Sequence, residues 1–257
     1  MTARASSSAQ AGGSGARDQA LLQGICDAVT ILVGAGVMDY NGHASMRDPA
    51  AGAQQPGFYI NSGASDRAAM SPDQVCRVRV DAPDTLAAID GIRPPNEAHL
   101  HAAIYAARPD VAAVVHGHPM WSTLFTQTGT PLPLLMPQSA LISDTPTYPH
   151  AHSISTRARG AAMADAMGQA RGIYLAGHGS VFTGRAGDPL AALTEATALA
   201  IYSEQNAERA WRAALLGPAT PLPPGDLDAH RANLDKPGLF AKCWAFHLSQ
   251  GRHANVR

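Results

Sequence analysis

The sequence predicts an α/β protein in which helices cover a mixed or mostly antiparallel sheet. Helix-like and strand-like segments alternate along the 257 residues, a pattern typical of layered α/β domains. Several connections between strand-like segments are too short for the crossover that parallel neighbours require. A chain of this length buries roughly three quarters of its unfolded surface, which is enough for one sizeable core.

The first third of the chain predicts a tail, a helix and three short strands. Residues 1–16 are rich in Ser, Gly and Ala and lack the apolar run of a signal peptide, so we expect a disordered tail. Apolar residues recur at three- and four-residue steps from Leu21 to Leu32 and predict an amphipathic helix that ends near Gly34. The segments that predict short strands are NGHASMRDP, GFYINSGAS and the strictly alternating RVRVD.

The rest of the chain alternates helices and strands. A helix is predicted within NEAHLHAAIYAARPD, because prolines precede it and the pair Arg108–Pro109 stops it. The following segments predict, in order, a buried strand, a helix with proline in its first turn, a helix, a strand pair and a long helix: VAAVVHGH, PMWSTLFTQT, STRARGAAMADAMGQA, GIYLAGHGSVFTG and DPLAALTEATALAIYSEQNAERAWRAALL. We treat residues 17–257 as one domain with a C-terminal extension over residues 217–257, which opens with the proline-rich GPATPLPPGD and carries its own helix.

Charge, hydropathy and cysteine content narrow the class of protein. Nineteen basic and twenty acidic side chains give a formal charge of −1, which offers nothing to attract nucleic acid or an anionic membrane. No stretch reaches the ~20 apolar residues of a membrane helix. Three cysteines without a CxxC pair fit a reducing compartment, so we expect a cytoplasmic protein. Its expected partners are a small-molecule substrate and copies of itself.

Two histidines at the end of the predicted buried strand are candidates for metal ligands. His116 and His118 stand at positions i and i+2, so on a strand both point to one face, about 6.6 Å apart. Two neutral imidazoles on one face form half of a site for a divalent transition metal. The alternative is that both are ordinary polar residues at a strand end, solvated or hydrogen-bonded to the backbone.

A third histidine and a carboxylate extend this candidate site. His178 follows another strand between Gly177 and Gly179, and glycines let the backbone approach a ligand closely. With the first two histidines it would complete a three-histidine set with open positions, as a catalytic metal requires. Glu97 begins the helix that leads into the first of these strands. It is either an acid/base beside the metal or a carboxylate that offsets the helix dipole.

The run NEAHLHAAIYAARPDVAAVVHGHP, followed about sixty residues later by GHGSVFTG, resembles the class II aldolase/adducin family. The resemblance covers most of residues 20–215. It implies a three-layer α/β/α fold around a mostly antiparallel sheet, and a homotetramer with active sites between subunits. It also implies a Zn²⁺ or Mn²⁺ ion held by the residues at the matching positions, His116, His118 and His178, with Glu97 as the catalytic carboxylate.

The sequence departs from the family members that act on sugar phosphates. Those members hold the phosphate with an asparagine in a GN-I-S-x-R turn, a Thr/Ser–Gly pair and a Ser-Ser before the acidic residue. Here His43 replaces the asparagine, Ser62–Gly63 keeps the second element, and Pro95–Asn96 replaces the third. Proline has neither an N–H nor a hydroxyl, so a phosphate would lose charge-assisted hydrogen bonds. We therefore expect a substrate that is not phosphorylated.

The GH turn and the PPNE segment resemble the family branch that contains decarboxylases of hydroxylated aromatic or pyridine dicarboxylates. This resemblance implies that a ring hydroxyl and an adjacent carboxylate chelate the metal. A second carboxylate would then be held by His43, Arg47 or Arg93, although Arg47 is equally well explained as a structural ion pair. The predicted substrate-binding set is His43, Arg47, Ser62, Gly63 and Asn96.

Other functions stay open at this stage. A retro-aldol enzyme for a hydroxy ketone uses the same electronic strategy, a non-catalytic module like the adducin head would keep only the fold, and three histidines also suit iron and oxygen chemistry. His150 and His152 form a second HxH. They lie in a Ser/Thr/Pro-rich loop, as either a capped turn or a lid over the site.

Overall fold

One seven-stranded sheet forms the centre of the described part of the chain. The structure, a computed structural model, describes residues 8–51, 56–81, 90–185 and 187–254. The strands are β1 (His43–Arg47), β2 (Gly57–Asn61), β3 (Val75–Arg79), β4 (Ala113–Gly117), β5 (Thr147–Tyr148), β6 (Gly172–Leu175) and β7 (Gly179–Gly184). Their order is β3-β2-β1-β4-β7-β6-β5, and every pair is antiparallel except β5–β6. The mostly antiparallel sheet predicted from the short connections is confirmed.

Helices cover both faces of this sheet. They are α1 (Ser8–Gly34), α2 (Ala98–Ala107), α3 (Met120–Thr128), α4 (Arg157–Met167), α5 (Pro189–Ala214), α6 (Pro224–Leu234) and α7 (Pro237–Ala254). On one face, α2 and α4 bury Leu100 and Met163 against Phe58 of the sheet. On the other, α1 and α5 bury Ile25 and Leu199 with further sheet residues. The predicted three-layer α/β/α arrangement is therefore confirmed.

The first helix begins earlier than the sequence predicts. Its end at Gly34 is confirmed, but it starts at Ser8, so residues 8–16 are helical where the composition predicted disorder. A helix, once nucleated, gains one hydrogen bond for each residue it adds, and the apolar segment from Leu21 supplies the nucleus. Residues 1–7 of the predicted tail lie outside the described residues.

The C-terminal extension contributes a helix to the core. Phe240 of α7 is buried in the same cluster as α1 and α5, and Trp244 and Leu248 pack against that cluster. The side of the sheet that carries α1 is thus completed by a segment near the end of the chain. None of the described helices is long and apolar enough to cross a membrane.

Gly117, between the two histidines of the HxH pair, lies against a neighbouring turn. A Cβ atom at this position would overlap the carbonyl oxygen of Val37 and lie 3.3 Å from the Cα of Met38. The turn after α1 therefore packs directly on the backbone of β4, and only glycine permits that approach.

We expect Gly117→Ala to lower the free energy of unfolding by about 1–3 kcal/mol, because backbone atoms must move to admit the methyl group. Gly225→Ala is the matched control, since a Cβ there would meet nothing within 4 Å. Urea unfolding of the three proteins measures the difference. Equal stability of wild type and Gly117→Ala would contradict the close packing.

Candidate metal centre

Three imidazoles and one carboxylate converge at the end of the central strands. The ligand atoms of Glu97, His116, His118 and His178 all lie within 4.8 Å of one another. The ring centroids of the histidines are 4.9 to 5.2 Å apart. The two segments that the sequence predicted to meet therefore do meet, and a single cation could contact all four side chains.

The sheet and its turns place these histidines. His116 lies in β4, directly opposite His43 in β1 and Val181 in β7. His118 follows the end of β4, and His178 lies in the turn between β6 and β7. That turn needs a glycine at Gly177, whose φ of +66° is in the left-handed region.

Hydrogen bonds orient two of the rings with one nitrogen free for a ligand. Nδ1 of His116 lies 3.0 Å from the carbonyl oxygen of Ser180, and Nδ1 of His118 lies 2.9 Å from Oδ1 of Asp39. Because both partners are acceptors, each Nδ1 donates the hydrogen bond, which leaves Nε2 of each ring facing the centre. Nε2 of His118 is buried and has no hydrogen-bond partner among the described residues. This donor set fits a divalent metal ion.

Glu97 is held between the imidazoles. Its Oε2 lies 3.3 Å from Nε2 of His116, and its Oε1 lies 3.7 Å from Nε2 of His178. Oε1 also accepts a hydrogen bond of 2.8 Å from the backbone N–H of Ile154. The residue occupies the N-cap position of α2, yet its side chain makes no capping hydrogen bond. Its carboxylate therefore faces the histidines rather than the helix terminus.

Burial and mutual charge keep these groups in the states that metal binding requires. Burial alone would raise the pKa of Glu97, but His116 and His178 together hold it far below its usual value. Burial lowers the pKa of His118. Burial, assisted by His116, lowers the pKa of His178 to about 4. At neutral pH the carboxylate is ionised, and His118 and His178 are neutral.

A carboxylate on a distant helix anchors the segment that follows His118. Glu204 of α5 is buried, and its Oε1 accepts a hydrogen bond of 2.7 Å from the backbone N–H of Trp121. Its Oε2 accepts from both the backbone N–H and the hydroxyl of Ser122. Glu204 thus accepts hydrogen bonds from the free N–H groups in the first turn of α3, as an N-cap residue would.

A cleft of about 520 Å³ opens beside the centre. Of the residues predicted to bind substrate, His43, Gly63 and Asn96 line this cleft, whereas Ser62 does not. Ser62 is buried, and its carbonyl oxygen accepts a hydrogen bond from Arg67. The cleft also includes residues that the prediction for substrate contact left out: Asn41, Ala64, Arg67, Pro94, Pro95 and Ser153.

Arg47, predicted to bind substrate or to play a structural role, does not line the cleft. Its guanidinium donates to the carbonyl oxygens of Val111 and Tyr105, both at 2.6 Å, and lies over the Tyr105 ring. Arg47 ends the strand that His43 begins, and four residues of strand separate them by about 13 Å. The alternative of a structural role holds, although its partners are carbonyl oxygens rather than an acid.

The second HxH pair lies next to the centre without entering the cleft. The rings of His150 and His152 stack with centroids 5.2 Å apart, and neither residue is among those that line the cleft. The loop that carries them contacts the centre with its backbone, because the N–H of Ile154 donates a hydrogen bond to Glu97. Ser153 of the same loop lines the cleft.

Comparison with known proteins identifies the family. The family model for the class II aldolase and adducin N-terminal domain matches residues 23–211. The chain belongs to this family. The predicted resemblance is therefore confirmed, and the match ends before the C-terminal helices α6 and α7.

Two curated relatives have different activities. The chain is 31% identical over 137 residues to a 5-methylthioribulose-1-phosphate/5-deoxyribulose-1-phosphate aldolase of Rhodospirillum rubrum, covering 53% of the chain and 59% of that protein. It is 32% identical over 109 residues to a 3,4-dihydroxyphthalate decarboxylase of a Terrabacter species, covering 40% of the chain and 46% of that protein. The matches thus span about half the length of each relative.

Solved structures share the fold over most of the chain. An L-fuculose 1-phosphate aldolase from Glaciozyma antarctica superposes with a TM-score of 0.77 at 19% identity, covering 99% of this chain and 95% of that one. An aldolase II superfamily protein from Pseudomonas syringae gives a TM-score of 0.75 at 17% identity, with coverages of 92% and 94%. At these identities the likeness establishes the fold alone.

We expect Asp39→Asn to weaken the affinity for Zn²⁺ about 10–100-fold, because the charge that orients His118 and raises its basicity is lost. Asp66→Asn is the matched control. Asp66 accepts a backbone N–H two residues ahead, as Asp39 does, but binds no histidine. Competition titration with a chromophoric chelator measures the three affinities. Unchanged affinity in Asp39→Asn would exclude this orienting role.

We expect protonation of His178 to weaken Zn²⁺ binding only below about pH 5. Protons compete with the metal at a ligand only near the pKa of that ligand, and the pKa of His178 is lowered to about 4. Calorimetric titration at half-unit pH steps, with His178→Gln run in parallel, measures the contribution of this ring. A contribution that is already lost near pH 6.5 would contradict the lowered pKa of His178.

Proposed function

We propose that the chain is a metal-dependent carbon–carbon lyase that decarboxylates a non-phosphorylated, hydroxylated aromatic or pyridine carboxylate or dicarboxylate. One observation carries the proposal: Glu97 lies between His116 and His178, beside a cleft whose wall contains two prolines and two arginines. Family membership supports carbon–carbon bond cleavage, since one curated relative is an aldolase and another a decarboxylase.

The ion in this proposal is Zn²⁺ or Mn²⁺, held by His116, His118 and His178. Imidazole nitrogens suit zinc, and a carboxylate nearby also suits manganese. When bound, the ion supplies a Lewis acid for the negative charge that develops as the carbon–carbon bond breaks.

Glu97 would move the proton that decarboxylation requires. Because its pKa is held low, this carboxylate is ionised and first accepts the proton of the substrate hydroxyl. The bond between the ring carbon and the carboxylate then breaks, CO₂ leaves, and the electron pair stays on the ring carbon. Glu97 gives its proton to that carbon, and the product leaves as a phenolate that takes up a proton from solvent, so that atoms and charges balance. The hydrogen bond from the backbone of Ile154 keeps the carboxylate in place throughout.

The composition of the cleft favours an unphosphorylated substrate. Pro94 and Pro95 line the cleft just before Asn96 and Glu97, where they offer no N–H to an anion. His43, which stands where sugar-phosphate members have an asparagine, is buried, and its Nδ1 has no hydrogen-bond partner among the described residues. That nitrogen is available to a polar group of the substrate.

A retro-aldolase is the second candidate. It is favoured by the relative from Rhodospirillum rubrum, which is named an aldolase for two ribulose phosphates, and by the position of Gly63 in the cleft wall. A non-catalytic module like the adducin head is disfavoured, since such a role does not require four converging ligand groups.

The assembly and location follow from the same proposal. We propose a homotetramer with active sites between subunits, supported by Tyr40 and Met120, which are 80% and 64% exposed beside the centre. Apolar side chains this exposed are typical of surfaces that a partner covers. We also propose a cytoplasmic location, supported by the cysteines Cys26, Cys76 and Cys243, all of which are free.

We expect the Mn²⁺- or Zn²⁺-loaded protein to release CO₂ from hydroxylated benzene or pyridine dicarboxylates, and Glu97→Gln to slow this release by about 10²–10⁴-fold. His150→Gln is the matched control, because His150 lies near the centre but outside the cleft. Coupled CO₂ detection and an aldehyde assay are run on the same samples.

Formation of an aldehyde from a hydroxy ketone or sugar phosphate, without CO₂ from any acid, would replace the decarboxylase with the retro-aldolase. A metal content far below one ion per chain, with no activity after metal is added, would favour the binding module.

A further inference from the structure

Arg67 is a buried cation in the wall of the cleft. It is 6% exposed, and it lines the cleft together with His43 and Gly63. Arg67 lies in an irregular segment after β2 and is distant in sequence from Glu97 and the three histidines of the metal centre. The proton-transfer step proposed above does not use it.

The hydrogen bonds of Arg67 all go to neutral groups. Nε donates to the carbonyl oxygen of Gly42 at 3.1 Å. Nη1 donates to the carbonyl oxygen of Ser62 at 3.1 Å, and also to the carbonyl and hydroxyl oxygens of Ser65. Within the described part of the chain, Nη2 has no hydrogen-bond partner. These contacts fix the guanidinium plane but leave its charge unbalanced and one nitrogen free.

The other buried arginines are neutralised by acids. Among the described residues, Arg108 and Arg171 are also buried, with 4% and 8% exposure. Arg108 pairs with Asp110 at 2.8 Å, and Arg171 pairs with Glu195. In the same described ranges, no carboxylate lies within ion-pair distance of Arg67. Buried charges are normally paired because desolvation is costly, so a missing anion is indicated here.

The nearest acids are engaged elsewhere. Asp39 and Asp66 act on Arg67 only through space, partly opposing the burial that lowers its pKa. Asp39 accepts a hydrogen bond from Nδ1 of His118, and Asp66 accepts one from the backbone N–H of Ala68. The guanidinium stays protonated at any physiological pH. An anionic group of a molecule bound in the cleft would balance this charge at close range.

We propose that Arg67 is the specificity-determining residue for a second carboxylate of the substrate, which makes dicarboxylates the substrate class. This inference rests on the proposed function, in which the first carboxylate and the hydroxyl lie at the metal centre. A carboxylate carries one charge and can be balanced by one guanidinium. A phosphate dianion needs more donors, and the prolines at positions 94 and 95 offer none.

The test compares two chelating acids that differ by one carboxylate. Calorimetry on the Zn²⁺-loaded full chain measures the affinities for 2-hydroxybenzoate and 3-hydroxybenzene-1,2-dicarboxylate. We expect wild type to prefer the dicarboxylate, and Arg67→Gln to lose about 10–100-fold in affinity for it. The affinity of Arg67→Gln for 2-hydroxybenzoate stays within about threefold, because that acid has no second carboxylate to lose.

Further variants separate charge, geometry and folding. Arg67→Lys keeps the charge without the planar fork and is expected to retain part of the preference. It also serves if Arg67→Gln does not fold, in which case a preference for the dicarboxylate that is weaker in Arg67→Lys than in wild type is the required result. Arg79→Gln is the control for net charge, since Arg79 is exposed and paired with Asp81. A preference that survives in both Arg67 variants, or is abolished by Arg93→Gln instead, overturns the inference.

Two measurements separate this inference from the lyase proposal. Inorganic phosphate is titrated into the same proteins, and Arg67-dependent binding of phosphate that is tighter than binding of the dicarboxylate overturns the assignment to a carboxylate. CO₂ release is measured in parallel. If wild type and Arg67→Gln release CO₂ at equal rates from both acids, the proposed decarboxylase is supported and this inference is refuted. No release from either acid, with an Arg67-dependent preference intact, refutes the decarboxylase alone.

Discussion

The antiparallel register of β1, β4 and β7 is the constraint on which the metal centre depends. It sets His43 opposite His116 and His116 opposite Val181, while the hairpin that starts β7 brings His178 to the same end of the sheet. Side chains alternate between faces, so a slip of one residue would turn His116 to the other side. The meeting of the imidazoles is thus a property of the central pairing, which buried residues on both faces hold in place.

Hydrogen bonds from neighbouring residues orient three of the four candidate ligand groups. Ser180 and Asp39 fix the protonated nitrogens of His116 and His118, and Ile154 fixes one oxygen of Glu97. These partners come from three separate segments of the chain. In a site of low dielectric such bonds act strongly. The ligand groups are consequently arranged in advance, with little left to reorganise when an ion arrives.

Local patterns predicted most of the fold and the centre, while contacts distant in sequence escaped them. The apolar run of β4, the HxH spacing at its end and the glycines around His178 pointed to the correct end of the sheet. The structural role of Arg47 depends on Val111 and Tyr105, which are more than fifty residues away in sequence. Arg67 and Asp39 lie in irregular segments without periodicity. Their roles depend on which carbonyls and rings the tertiary fold brings beside them.

The anchoring of α3 by Glu204 determines which side of the cleft can differ between related enzymes. Both carboxylate oxygens of Glu204 accept hydrogen bonds from the first turn of this helix. These bonds hold the segment that follows His118 in place. Moving that flank to admit a different molecule would cost the hydrogen bonds that Glu204 accepts. We therefore expect a new substrate preference to arise on the facing rim, around residues 63–67 and 93–96, where Gly63, Arg67, Arg93 and Asn96 line the cleft.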